Sequence, residues 1–380
     1  MEYKFDRLET LRGFLAWWVV IFHALAFTGL LHVFGNPFIM LLSHGELAVD
    51  AFMILSGIVI SHLITIKDES YIIYIIRRFF RLSPVFYFAL IISIILQPLY
   101  LSVFKDLSTL INPDSFASKI ERIYQFWEYP VYHIILHLAL LHGAVPDNLL
   151  KYSSTSIITP AWSISLEWQF YLIAPLLIKS IKRINGEIVI VVLTICLALI
   201  RYFSSIEFQG AFFPFQINLF MIGIYFYFIY TSTMNSKKFK WIFFAVFYLL
   251  LSISIKPLVT VPVLIVFLVF FFPWVKRKFK WLSFFDLLSK DSNFFRRLGI
   301  VSYSTYLLHQ AVQLIIIYVI IHFLRIHSNV MLFWIAFPLS SFLIYLISLF
   351  TYRNIELVGI EFGKKYFLKN KHMIKPKQEV

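Results

Sequence analysis

The sequence predicts an all-α polytopic membrane protein with about ten transmembrane helices and both termini in the cytoplasm. Three observations carry that reading. Hydrophobic residues make up 60% of the chain and charged residues only 14%, whereas soluble domains are about a quarter charged. Apolar runs of about 20 residues, the length that crosses a bilayer, recur along the whole chain. Lysine and arginine gather between those runs and on one side of them, as the positive-inside rule requires. The formal net charge of +14 is therefore accounted for by topology, and nucleic-acid binding is set aside. Mean hydropathy is +0.80, and the 19% aromatic content suits lipid-facing and interfacial surfaces.

The elements follow in order. Lys4, Arg7 and Arg12 hold the N-terminus inside, and the first span runs over 11–31. The second, 46–66, returns to Lys67 and the cluster Arg77, Arg78 and Arg81. The third covers 83–104 and leads to a polar stretch, Lys105 to Glu128. Val131 to Gly143 is too short to span and reads as a re-entrant or interfacial helix. Were it a span, the run 160–178 would carry Lys179, Lys182 and Arg183 outside. The remaining spans are 187–203, 212–230, 241–256, 258–275, 299–323 and 328–351. Of 34 Lys and Arg residues, only Lys105, Lys119, Arg122, Lys151, Arg201, Lys256 and Arg325 then fall outside. The chain divides into a transmembrane domain, 1–352, and a basic cytoplasmic tail, 353–380. The loop 276–297 is basic and suits an interfacial helix. No tandem repeat is visible. Cys196 is the only cysteine, so no intramolecular disulfide forms, and no cleavable signal peptide is expected.

Polar groups inside the spans locate the chemistry. Arg12 and His23 lie on nearly the same helix face, about 16 Å apart along the axis. An ionisable residue at that depth is a functional-site hypothesis by default, although a histidine bonding a neighbouring helix is the plain alternative. Glu167, His309, Asp50 and Ser56 come from three further spans and reach similar depths. A histidine can take a proton from a hydroxyl while a carboxylate orients it. Arg12, Arg77, Arg78 and Arg81 could form a phosphate-binding rim, because guanidinium pairs with phosphate oxygens at two points; plain positive-inside charge also accounts for them. His133, His137 and His142 have zinc-like spacing but no acidic or cysteine partner nearby, so no metal is expected. No Walker A, Rossmann or GxSxG pattern is present.

These residues also carry a resemblance. Arg12-x10-His23 is similar to the signature of the membrane-bound acyltransferase-3 family, which O-acylates cell-surface glycans. Further matches follow in order: GELAVDAFMILSGIVI (45–60), IIRRFFRLSPVFYF (75–88), PAWSISLEWQFYLIAPLL (160–177), SYSTYLLHQAV (302–312) and YRNIE (352–356). Two positions depart from the pattern. Gln310 follows His309 and Leu357 follows Glu356, where proline is frequent in the family.

The resemblance implies acetyl-CoA as donor, bound from the cytoplasmic face, with Arg12, Arg78 and Arg81 holding its phosphates. It implies His23 as base or transient acyl carrier, with Asp50 or Glu167 orienting it. Ser56, Trp162, Tyr303 and His309 are candidate substrate or oxyanion contacts. The implied acceptor is a hydroxyl of a cell-surface polysaccharide such as an O-antigen, or its lipid-linked precursor, in a bacterial inner membrane. No fused hydrolase-like domain is read here, so the membrane domain would deliver the acyl group itself. Partners would be acyl-CoA, the glycan and membrane lipids. A proton-coupled transporter or flippase is the alternative class, since buried His, Glu and Asp sets also make proton relays.

Overall fold

The fold was analysed on a computed structural model, which describes residues 2–31, 37–67, 69–183, 185–203, 210–232, 236–271 and 294–367. The described residues are helical, with no strand among them. In chain order the helices are α1 (Glu2–Phe27), α2 (Pro37–Leu42), α3 (Gly45–Ile66), α4 (Tyr71–Ile95), α5 (Gln97–Leu110), α6 (Pro113–Glu128), α7 (Pro130–Leu138) and α8 (Trp162–Ile181). They continue as α9 (Gly186–Phe203), α10 (Phe213–Thr231), α11 (Ser236–Ile255), α12 (Thr260–Phe270), α13 (Phe294–Ile300), α14 (Ser302–His322), α15 (Asn329–Thr351) and α16 (Leu357–Phe367).

Among the described residues, eight helices are long and apolar enough to cross a membrane. Seven match spans read from sequence; the eighth, Tyr71–Ile95, overlaps the expected span 83–104 only over 83–95, and the remainder of that span falls in α5. The other two expected spans, 187–203 and 258–275, correspond to shorter apolar helices, Gly186–Ile200 and Pro257–Phe270. Residues 272–275 of the second, like most of the 276–297 loop, lie outside the described residues. The helix in 131–143 is indeed short, ending at Leu138.

Boundaries differ in three instructive places. The third apolar helix begins at Tyr71, not near residue 83, with Ser70 capping it by accepting from the Ile73 amide. Pro84 lies inside this helix without ending it, so Arg77, Arg78 and Arg81 sit on helical turns rather than in a loop. Likewise α1 closes at Phe27, which puts His23 one turn from its end instead of midway. Residues 353–367, placed by sequence in the tail, continue the last helix through a π turn at Tyr352–Glu356 into α16. The end of the tail, 368–380, lies outside the described residues.

Small residues bring the central helices together. Gly57 of α3 and Gly223 of α10 face each other so closely that a Cβ on either would strike the other helix's backbone. Close approach of this kind lets dispersion hold helices together where lipid removes the hydrophobic drive. Helix α3 also packs against α1 and α8, and α14 packs against α1, α4, α5 and α15. The region between α1, α3, α4, α8 and α14 is where the polar residues meet.

Candidate active site

Five helices close around one cleft with about 820 Å³ of empty space. Arg12 comes from α1, Ser56 from α3, Arg78 and Arg81 from α4, Glu167 and Tyr171 from α8, and Tyr303 and Tyr306 from α14. Six of the sequence-selected residues thus line one cavity. Arg78 and Arg81 are three apart and share a face. Arg77, one turn before Arg81, is drawn off by Glu69, to which it donates at 2.6 Å. Arg77 therefore does not belong to the cleft.

The three arginines of the cleft are held differently. Arg81 forms an ion pair with Glu356 and lies over the Tyr303 ring, 5.5 Å from its centroid. Glu356 is 1% exposed and also accepts from Ser304 Oγ at 3.3 Å. The π turn delivers this carboxylate, in keeping with the frequency of π-bulges at functional sites. Arg78 lies over the Tyr171 ring at 5.9 Å. Among the described residues neither Arg12 nor Arg78 carries an ion pair. Two cations in an apolar bundle with no carboxylate partner call for an anion.

The polar wall is internally bonded. Ser56 Oγ donates to Glu167 Oε1 at 2.9 Å, and the Tyr171 hydroxyl donates to the same oxygen. Tyr303 donates to the Leu82 carbonyl at 2.7 Å, and Tyr306 donates to the Pro160 carbonyl at 2.9 Å while meeting Ser163 at 2.8 Å. Ser56 and Tyr303 are thus engaged already. Trp162 packs against the core and lines no described cavity.

His23 lies farther along α1, against α14. Its ring centroid is 5.1 Å from that of His309. His309 is fully buried, and its Nδ1 donates to the Tyr306 carbonyl at 2.8 Å. A carbonyl only accepts, so Nε2 is the lone-pair atom of the neutral ring, and it has no partner among the described residues. Gln310 Nε2 is 3.1 Å from His23 Nε2 and 3.2 Å from Nδ1. Those near-equal distances set the amide over the ring face rather than on one lone pair. His23 keeps accessible surface, as a group that exchanges protons with a substrate must.

Asp50 takes no part in this arrangement. It accepts from Lys256 Nζ at 2.7 Å, and it lines neither the cleft nor the His23 pocket. His133, His137 and His142 are also separate. His137 and His142 stack at 4.1 Å, and each ring bonds locally, to Ser156, the His133 carbonyl and the Ala161 carbonyl. Among the described residues no group of His, Cys, Asp and Glu could hold a metal ion.

Sequence reasoning missed Tyr171, Ser163, Tyr306 and Gln310. Two signals were available. Tyr171 is four residues after Glu167, one helical turn, and Gln310 stands where the family pattern has proline.

A family model described as an acyltransferase domain matches residues 5–353. The chain belongs to the acyltransferase-3 family. The match takes in every residue of the cleft named above except Glu356, and it makes the protein a membrane acyltransferase. Comparison with curated proteins and comparison with solved structures each found no match. In this acyltransferase the arginine cleft and the His23–His309–Gln310 group are consecutive along α14, from Tyr303 to Gln310, a rise of about 10 Å.

Proposed function

We propose that the protein is an integral-membrane O-acyltransferase that takes acetyl from acetyl-CoA, bound from the cytoplasmic face. The acceptor is a hydroxyl of a cell-surface polysaccharide, such as an O-antigen, or of its lipid-linked precursor, in a bacterial inner membrane. The carrying observation is the pair of arginines, Arg12 and Arg78, that line one cleft without a carboxylate partner, one helical stretch from His23.

The cleft fits the donor by its chemistry. Unpaired guanidinium groups suit the phosphates of CoA, and Arg81, fixed by Glu356, shapes the entrance between them. The thioester then extends along α14 toward His23. The acceptor oxygen attacks the thioester carbonyl carbon while His23 takes the hydroxyl proton. The C–S bond breaks as the tetrahedral intermediate collapses, and the proton passes to the departing CoA sulfur. The developing oxyanion needs a donor. Ser56 and Tyr303 are spoken for, so the Gln310 amide over His23 fills that role. Glu167 acts at a distance, holding Ser56 and Tyr171 as one wall of the cleft.

The test uses purified protein in nanodiscs with radiolabelled acetyl-CoA and a membrane glycan extract. Competable donor binding in wild type and His23→Ala, with transfer only in wild type, is the expected result. Absence of donor binding by folded protein overturns the reading and favours a transporter.

A further inference from the structure

Beyond His23 lies a second cavity, a partly open cleft with about 440 Å³ of empty space, open solvent included. It continues the line of the cleft. On α14 the cleft takes Tyr303 and Tyr306, and this cavity takes the next turns, Leu307, Gln310 and Leu314. Gln310 lines this cavity and not the cleft, and its amide touches the His23 ring.

The lining is rich in polar and cationic side chains. Lys119 and Arg122 enter from α6, Gln97 and Tyr100 from α5, and Thr155 and Ser156 from the connection before α8. No carboxylate lines the cavity among the described residues. The nearest acids are committed elsewhere. Glu121 holds Lys151 and Tyr152, and Asp147, the carboxylate that acts on Arg122, is outside the lining. Lys119 donates to the Ser115 carbonyl at 2.6 Å and lies over the Phe116 ring. Arg122 lies over the Tyr152 ring, 5.5 Å from its centroid.

Two further atoms define what is missing. Arg122 Nε, a donor, and Gln97 Oε1, an acceptor, are buried with no hydrogen-bond partner among the described residues. An unmet buried polar group is costly, so two of opposite type in one cavity describe a ligand that both accepts and donates. Burial and the Arg122 charge push the Lys119 ammonium down to about 8. Lys119 and Arg122 are also within electrostatic reach of His23.

We infer that this cavity is the acceptor subsite, and that it takes a sugar bearing a carboxylate or phosphate beside the hydroxyl to be acylated. Lys119 and Arg122 hold the anion, Gln97 and the nearby hydroxyls hold the sugar, and the reacting hydroxyl meets His23 beside Gln310, where the cavity wall touches that ring. Plain glycan recognition needs no cations; two without a carboxylate specify an acidic one. The inference rests on the acyltransfer reading above.

The test separates the two. Cell-envelope glycans are divided by anion exchange into neutral and acidic fractions, and each is incubated with enzyme and radiolabelled acetyl-CoA. Label is expected in the acidic fraction. The Lys119→Gln/Arg122→Gln double variant should lower the rate at subsaturating acidic glycan by at least about tenfold, with the KM for acetyl-CoA unchanged. Label confined to the neutral fraction overturns the inference and leaves the acyltransferase intact. Label in no fraction removes the acyltransfer reading, and this inference with it. The assay is repeated in phosphatidylcholine nanodiscs with and without phosphatidylglycerol. A double variant that keeps its preference for acidic glycan but loses its response to phosphatidylglycerol assigns the two cations to lipid headgroups, and overturns the inference. Glucuronic acid and glucose 1-phosphate as competitors then tell carboxylate from phosphate; failure of both to compete where the double variant is also unimpaired overturns it as well.

Discussion

Two regions of this protein bury ionisable groups among apolar helices, and they do so in opposite ways. In the corridor from Arg12 to Arg122, polar atoms face open space. Arg12 and Arg78 lack ion pairs among the described residues, and Arg122 Nε and Gln97 Oε1 lack hydrogen bonds there. On the flanks, charges close on one another. Asp50 meets Lys256 and Glu187 meets Lys240, each at 2.7 Å. His133, His137 and His142 lie in packed surroundings at 0% exposure, each with a local bond. Each of these rings also keeps one unpartnered nitrogen, but neither cavity reaches it. Burial of a titratable group therefore does not mark the site by itself. In the corridor the unmet atoms belong to residues that line a cavity, Arg122 and Gln97, and His23 meets that cavity through Gln310.

The sharpest way to break that comparison is to remove one histidine from each region. His23→Ala should lower transfer by about 10²–10⁴-fold, the usual contribution of a general base, with competable acetyl-CoA binding preserved. His137→Ala should lower the thermal midpoint while the folded fraction keeps its turnover, because that ring packs on Phe86 and His142 and touches neither cavity. Scoring donor binding, transfer and melting in the same preparations separates the two effects. Equal loss of turnover from folded His137→Ala protein would dissolve the distinction.

The arginines offer a smaller contrast. Arg12→Ala with Arg78→Ala should raise the KM for acetyl-CoA about 10–100-fold, the value of one or two charge-assisted contacts, and leave kcat nearly unchanged. Arg77→Ala should change it less than about twofold, since Arg77 is spent on Glu69. Steady-state kinetics on the two variants decide. A large effect at Arg77 would return the whole cluster to non-specific positive charge.

What the sequence made legible follows from range. The apolar periodicity and the basic side of each span were readable, because both are local. The convergence of Arg12, Ser56, Arg78, Arg81, Glu167 and Tyr303 on one cleft followed from ordered motifs rather than from chemistry at any one position. Asp50 illustrates what was not readable. Its depth resembled that of a catalytic acid, and only the fold brings in Lys256, 206 residues away. Arg77 looked like its neighbours until helix α4 was seen to begin at Tyr71, which places Arg77 on a helical turn beside Glu69. Lys119 and Arg122 read as two of a few outer charges, since nothing local shows that α6 folds them inward over Gln310.

A modest effect is expected at Asp50. Asp50→Asn should cost about 1–2 kcal/mol of stability, between the values for exposed and buried pairs, because Lys256 keeps partial access to solvent. Turnover of the folded protein should stay within about twofold. Exchanging the partners, Asp50→Lys with Lys256→Asp, should restore part of the melting temperature. A selective fall in kcat without destabilisation would move Asp50 from the flank into the corridor.

The smallest effect concerns pH at the second cavity, and its sign can be worked out. Lys119 has its ammonium pushed down to about 8 by burial and by Arg122, so it loses charge as pH rises through that value. The groups facing it are Arg122 on the same helix, Tyr100 and Gln97 from α5, and His23 beyond Gln310. Arg122 stays charged throughout, and a carboxylate or phosphate monoester acceptor stays anionic between pH 7 and 9. Only Lys119 then changes the attraction. The KM for an acidic acceptor should rise between pH 7 and 9 by up to about tenfold, one contact's worth. A bound anion pulls the ammonium back up, which spreads the rise toward higher pH. Lys119→Gln should flatten the profile at a uniformly higher KM, and a neutral acceptor should show no slope from this source. A profile that keeps its slope in Lys119→Gln would place the titrating group elsewhere, with His23 the next residue to change.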